Sequence, residues 1–162
     1  MAPVHTRLLF IGAPLLVAAA TAAVVVRFAG GSDGPKDPAG FMTGLMQEIA
    51  ANDYAGAWAT LHPAHQRVAT REAYVACEAQ SPIPGKLSSV SVLDVSDKQV
   101  RVAGEPGTVA GKAVRLELSI AGAGPDPIVV TQTSHAVAVA GHWTWILPPE
   151  RFAEYRAGRR PS

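Results

Sequence analysis

Ala113-Val114-Arg115-Leu116-Glu117-Leu118-Ser119-Ile120-Ala121 alternates without a break. Val114, Leu116, Leu118 and Ile120 fall on one side of an extended chain, and Arg115, Glu117 and Ser119 on the other. A period of two marks a half-buried strand, with one face on a core and one in water. An apolar sheet face must be covered, so the flanking segments decide the fold class.

The strand is framed by turns. Downstream, Ala121–Pro127 (AGAGPDP) is a turn, followed by a long strand from Ile128 to Ala140. Gly141-His142 separates it from Trp143–Leu147, where Trp143, Trp145 and Leu147 share a face. Upstream, Gly104-Glu105-Pro106-Gly107 is a turn, and Val100 and Val102 predict a short strand. Leu87–Val95 is rich in β-formers, but its parity shifts between Val92 and Leu93. That shift predicts a bulge or a strand covered on both faces.

Above Ser81–Gly85 (SPIPG) the period becomes helical. Phe41, Met42, Leu45, Met46 and Ile49 line one helical face, with Asp37 as N-cap and Pro38 in the first turn. Asn52-Asp53 ends this helix and caps a second, Tyr54–Leu61, which stops at His62-Pro63 because the residue before proline avoids the helical region. Thr70 caps a third, Arg71–Ala79, with Tyr74, Cys77 and Glu78 on one side. Pro148-Pro149 starts a short terminal helix through Tyr155. Three helices, a meander of four to five antiparallel strands and a helical tail predict an α+β fold with the helices packed on a curved sheet.

The amino terminus reads as targeting. Leu8–Val26 runs for 19 residues without a charge, roughly 28 Å as a helix, about one hydrocarbon core. Arg27 ends the run, and a Gly/Pro/Asp-rich stretch follows as a linker. A signal anchor is the expectation, because apolar residues continue through Val24, Val25 and Val26. A cleaved signal peptide is the alternative, since Ala18-Ala19-Ala20 and Ala20-Thr21-Ala22 satisfy a small-x-small pattern. The short amino-terminal flank predicts a single-pass protein of the cell membrane with its main domain extracytoplasmic, or secreted after cleavage. The expected organisation is therefore anchor 1–28, linker 29–37, domain 38–150 and basic tail 151–162.

Of the 162 residues, 48% are hydrophobic and 17% charged, too apolar and too weakly charged for a disordered chain. The formal net charge of +1 conceals a division. Residues 38–150 carry 7 basic and 10 acidic side chains, whereas 151–162 carry four arginines and one acid. An acidic domain gives no support to nucleic-acid binding. The tail reads as a solvated helix end whose arginines complement the helix dipole, with contact to anionic lipid as the sharper alternative. The lone cysteine, Cys77, excludes an internal disulfide; it reads as a buried thiol, and pairing between two chains stays open.

Candidate chemistry is sparse. GxGxxG, GxxxxGK[ST] and GxSxG are absent, and no cofactor is implied. His62 and His65 flank Pro63 but have no third ligand at metal-site spacing, so capping or surface roles are expected. His135 shares parity with Thr131, Thr133, Val137 and Val139, and is a candidate base if it faces a cavity. Asp53 and Tyr54 stand at a helix start, where Asp53 is explained as an N-cap. Trp58, Trp143 and Trp145 read as core residues, with an aromatic pocket floor as the alternative.

Ala57-Trp58-Ala59-Thr60-Leu61-His62-Pro63, Tyr74-Val75-Ala76-Cys77 and Gly141-His142-Trp143-Thr144-Trp145-Ile146-Leu147 resemble a nuclear-transport-factor-2-like domain over about Phe41–Leu147, in particular membrane-anchored bacterial members. The resemblance implies a cystatin-like cone, a sheet wrapped round helices with a pocket at its open end. Some members are isomerases, dehydratases or cyclases, and many have no enzymatic activity. It also makes Trp58, Tyr74, His135 and Trp143 candidate pocket-lining residues, and Asp53, Tyr54 and His135 the candidates for acid–base work. No motif of a catalytic member is present. The expectation is a non-enzymatic binding or accessory domain held to the membrane through residues 8–26. Its partner would be an envelope protein or a small molecule; the alternative is an isomerase or dehydratase using the cone cavity.

Overall fold

The computed structural model describes residues 37–122 and 124–159. The anchor, its cleavage alternative and most of the linker lie outside the described residues. Among those described, no helix is long and apolar enough to cross a membrane.

Four helices precede the sheet: α1 (Pro38–Ala50), α2 (Tyr54–Ala59), α3 (Pro63–Gln66) and α4 (Arg71–Ala79). Their starts follow from side-chain caps. Asp37 accepts from Gly40 N–H at 2.8 Å, Asp53 from Gly56 N–H at 2.9 Å and Thr70 from Ala73 N–H at 3.2 Å. The turn α3 was not legible as a helix. Pro63 sets its first residue, and His62 Nδ1 accepts from Ala64 N–H at 3.2 Å. Asn52, at φ 61°, closes α1 in the left-handed region, which a short polar side chain tolerates.

The sheet has four antiparallel strands in the order β1 (Lys86–Val100), β2 (Val109–Ala121), β3 (Ile128–Val139) and β4 (His142–Trp145). The fold is α+β with helices before a meander. The parity shift is a bulge: pairing slips between Val92 and Asp94, so Leu93 is the extra residue, and again between Leu87 and Ser89. Val100 does not belong to a separate strand. β1 runs unbroken through Ser96-Asp97-Lys98, which pair with Ala113, Lys112 and Gly111, and Val102 lies beyond the strand. Those polar residues resemble a turn in sequence, but they lie exposed on the outermost strand of the sheet, where β2 pairs with β3 on its other side.

Val114, Leu116 and Leu118 are buried together with Met42, Leu45 and Met46 of α1, Tyr54 and Ala57 of α2, and Tyr74 and Cys77 of α4, and Ile120 is buried further along the same strand face. A second cluster, Ala64, Val100, Val102 and Val137, lies on the other face of the sheet, since Ala136 and Val137 are neighbours in one strand. Gly111 is required there. A Cβ on it would stand 2.7 Å from Ala136 O and 3.1 Å from Val100 Cγ2.

The β3–β4 connection is a two-residue turn, Ala140-Gly141, between the paired residues Val139 and His142, with φ 50° and 82°. Two positive φ values define a type I′ turn, which favours Asn-Gly. Alanine carries a Cβ penalty there of roughly 1 kcal/mol. Ala140→Asn is therefore expected to raise stability by about 1 kcal/mol in urea unfolding. A loss of stability would show that the turn is of another kind.

Candidate functional site

β4 pairs with β3 only from Ala136 to Val139, because the chain leaves the sheet after Trp145. Leu147 N–H turns away to donate to His65 Nδ1 at 2.9 Å, and Pro148-Pro149 cannot donate to a ladder. Among the described residues, the outer edge of β3 from Ile128 to His135 is thereby left without a partner strand. A cleft of about 640 Å3 opens along that edge. Leu118, Ile120 and Val130 of the sheet and Met46 and Ile49 of α1 give it apolar walls, and Ile83 and Pro84 close one side.

Its polar end is built by α4 and the carboxyl-terminal turn. After Pro148, a 3-10 turn (Pro149–Arg151) and α5 (Phe152–Ala157) fold back along α4. Glu78 Oε1 accepts from Tyr155 Oη at 2.6 Å and from Arg151 Nη2 at 2.9 Å, and Arg151 Nε donates to Glu154 Oε2 at 3.0 Å. The guanidinium lies 4.5 Å over the Tyr155 ring, which stacks on Tyr74 at 5.4 Å; Tyr74 meets Trp145 edge-on at 6.0 Å. Arg151 Nη2 also reaches Cys77 Sγ at 3.9 Å. Arg151 and Tyr155 are thus part of the packed body. The expectation of a solvated tail fails for Arg151, because the diproline turn directs it onto the buried Glu78.

Burial raises the Tyr74 and Tyr155 hydroxyls well above the ordinary phenol range, and Glu78 adds to both. Burial opposes the Arg151 charge, but Tyr155, Glu154 and Glu78 outweigh it and hold the guanidinium protonated. At neutral pH this end presents two neutral phenols and a fixed ion pair. It is suited to binding and orienting a guest rather than to exchanging protons with one.

The sequence candidates are not gathered in one place. Tyr74 and His135 stand at the cleft, and Trp145 joins them, whereas Trp58 and Trp143 are not among its walls. Trp58 Nε1 donates to Ala69 O at 2.8 Å; Trp145 Nε1 donates to Ala57 O at 2.8 Å; Trp143 Nε1 is buried without a partner among the described residues. Asp53 is spent on its cap, and Tyr54 Oη donates to Asn52 Oδ1 at 2.6 Å. His135 shares a sheet face with Val137, and burial, then Lys98, lowers its pKa. Cys77 is fully buried, which removes it from pairing with a second chain. Arg151, Glu78 and Tyr155 were missed as a group. The available signal was an acid on the Tyr74–Cys77 face, which has to find a cation.

Among the described residues no group of His, Cys, Asp and Glu is arranged to hold a metal ion. His62 caps α3, as expected, but His65 is neither a cap nor on the surface. It is fully buried and edge-on to Phe152 at 5.2 Å, with Leu147 N–H directed at Nδ1 and Ala103 N–H at 3.1 Å from Nε2. A neutral imidazole bares one nitrogen at a time, so each tautomer serves one of the two amides and a protonated ring serves neither.

Comparison with known proteins found no matching family model, no similar curated protein and no similar solved structure.

Burial, with a smaller contribution from His62, lowers the His65 pKa to about 4 from an ordinary value of 6.5. The native state then binds its proton less tightly than the unfolded chain does. Stability from this ring is complete above pH 6.5 and is lost as the pH falls toward 4, by about 3 kcal/mol in total. Urea unfolding of the parent chain and of His65→Gln, compared at pH 7 and pH 4.5, is expected to show a gap that narrows in acid. An equal gap at both pH values would mean the ring is not held neutral.

Proposed function

We propose that this chain is a binding or accessory module of the nuclear-transport-factor-2-like kind, held at the membrane by residues 8–26, with its folded part extracytoplasmic. It takes a small, largely apolar guest in the cleft beside β3. The observation that carries this reading is the cleft itself. A volume of about 640 Å3 lies within the range of small-molecule sites, and aliphatic walls end in two phenols and a fixed ion pair.

The helices-then-meander order agrees with the resemblance. The isomerase or dehydratase alternative needs an acid and a base across one guest. Asp53 and Tyr54 are occupied at the start of α2, which leaves His135 as the one member of that trio at the cleft. A binding role therefore uses more of the residues present than a catalytic one.

The dye 1-anilinonaphthalene-8-sulfonate, whose emission rises in apolar surroundings, is a suitable probe. It is expected to bind the full chain in mild detergent in a saturable way above the micelle background. Ile83→Asp, which sets a carboxylate in the cleft wall against the anionic dye, is expected to weaken binding roughly tenfold, since a desolvated charge facing a like charge costs more than about 1.4 kcal/mol. Saturable binding unchanged by Ile83→Asp, or no binding above background, would remove the cleft as the site.

A further inference from the structure

The row of β3 that faces the helices is not apolar throughout. Val114, Leu116 and Leu118 of β2 stand opposite Ser134, Gln132 and Val130 of β3, and residues opposite one another share a face of the sheet. Two polar side chains thus occupy places that the neighbouring strand fills with buried aliphatics. Turning a polar group inward costs free energy unless it finds a partner. Both residues line the cleft. Gln132 Nε2 donates to Met46 Sδ at 2.9 Å, and a thioether is a weak acceptor. Gln132 Oε1 and Ser134 Oγ have no hydrogen-bond partner among the described residues.

Tyr74 joins them from α4. It is 1% exposed and lines the cleft, yet its hydroxyl makes no hydrogen bond among the described residues, whereas Tyr155 stacked on it donates to Glu78. Glu48 Oε2 and Trp143 Nε1 are the described side-chain atoms that are sealed from solvent without a partner. The free atoms of Tyr74, Gln132 and Ser134 are not sealed, so they open on the cleft whose walls these residues form. Burial holds the Tyr74 phenol in its protonated form, which makes it a donor. With Nε2 turned to Met46, Gln132 offers the cleft an acceptor.

The charged groups at this end are occupied by one another. Glu78 Oε1 accepts from Tyr155 and Arg151, and Arg151 is divided between Glu78 and Glu154. Glu150, the other charged residue on the walls, is exposed to solvent. An anionic head would lie beside Glu78 and Glu154 without a cation to itself, and a cationic head would have to displace Arg151. We propose that the guest is an uncharged molecule with an apolar body and a head that both accepts and donates a hydrogen bond, of which an alcohol is the simplest. Tyr74 Oη donates to that head and Gln132 Oε1 accepts from it, with the Ser134 hydroxyl on the same face of the sheet as Gln132. The inference rests on the cleft being a binding site and adds the chemistry of what it selects.

Four guests on one rigid hydrocarbon cage separate the possibilities: 1-adamantanol, 1-chloroadamantane, adamantane-1-carboxylate and 1-adamantylammonium. Each is titrated against bound 1-anilinonaphthalene-8-sulfonate on the full chain in mild detergent, at free concentrations corrected for uptake by empty micelles. The alcohol is expected to displace the dye at a concentration about tenfold below the chloride, the effect of one or two net hydrogen bonds. It is expected to act at least roughly tenfold below either ion, whose charge would be desolvated without a partner. Tyr74→Phe keeps the ring against Tyr155 and Trp145 and removes only the hydroxyl, and Gln132→Leu removes the acceptor on a different element. Each is expected to bring the alcohol to within about threefold of the chloride. The comparison is a ratio within one variant, so a change in dye affinity cancels. Val129→Ala, away from the cleft walls, is expected to keep the full preference. Equal displacement by alcohol and chloride, stronger displacement by either ion, or an alcohol preference that survives Tyr74→Phe or Gln132→Leu overturns this proposal while dye binding still supports the cleft. A chain that binds no dye overturns both.

Discussion

The arrangement depends on one junction, where the helical layer is joined to the end of the sheet at Trp145. His62 N–H donates to Trp145 O at 2.8 Å, and Trp145 N–H donates to Thr60 O at 3.3 Å. Leu61 runs beside Trp145 as a parallel bridge, and the indole N–H returns to Ala57 O. These three hydrogen bonds pair six polar groups across the boundary between helices and strands. The indole is nearly buried and presses on Tyr74, so the same residue fixes α4.

The cleft is a consequence of that junction. A strand committed to Leu61 on one side and Ala136 on the other cannot continue along β3. The chain departs through Ile146–Pro149, and the two prolines turn it toward α4, where Glu78 receives Arg151 and Tyr155. Among the described residues, no strand covers that side of β3 as a result, and the departing segment stands as the opposite wall. A free sheet edge, a sheltered apolar space and a buried ion pair therefore share one origin. Removing Arg151 would leave the buried Glu78 carboxylate without this guanidinium, a destabilising change.

Much of this was legible in the sequence where the signal is periodic or local. The alternation of Val114 through Ile120 assigned the strand and its buried face, and Asp37, Asp53 and Thr70 announced three helix starts through their capping oxygens. The Val92–Leu93 parity change announced a bulge. The misses are non-local. Ser96-Asp97-Lys98 has no burial period because it is exposed on the edge strand, so β1 looked shorter than it is. His65 looked like a surface residue because its amide partners, Leu147 and Ala103, are distant in sequence. Arg151 looked like part of a solvated tail because Glu78 lies on another helix. The cleft was legible only in part: Tyr74 and His135 pointed to it, while Trp58 and Trp143 are turned to the packing of α2 and β4.

Native-state amide hydrogen exchange on the full chain tests the junction most directly. If it holds the helices and the sheet together, the amides of His62 and Trp145 exchange only through global unfolding, at the same free energy as the central residues Leu116 and Leu118. Exchange of His62 and Trp145 through a local opening, several kcal/mol cheaper than Leu116, would contradict the account and make the helical layer a separate unit.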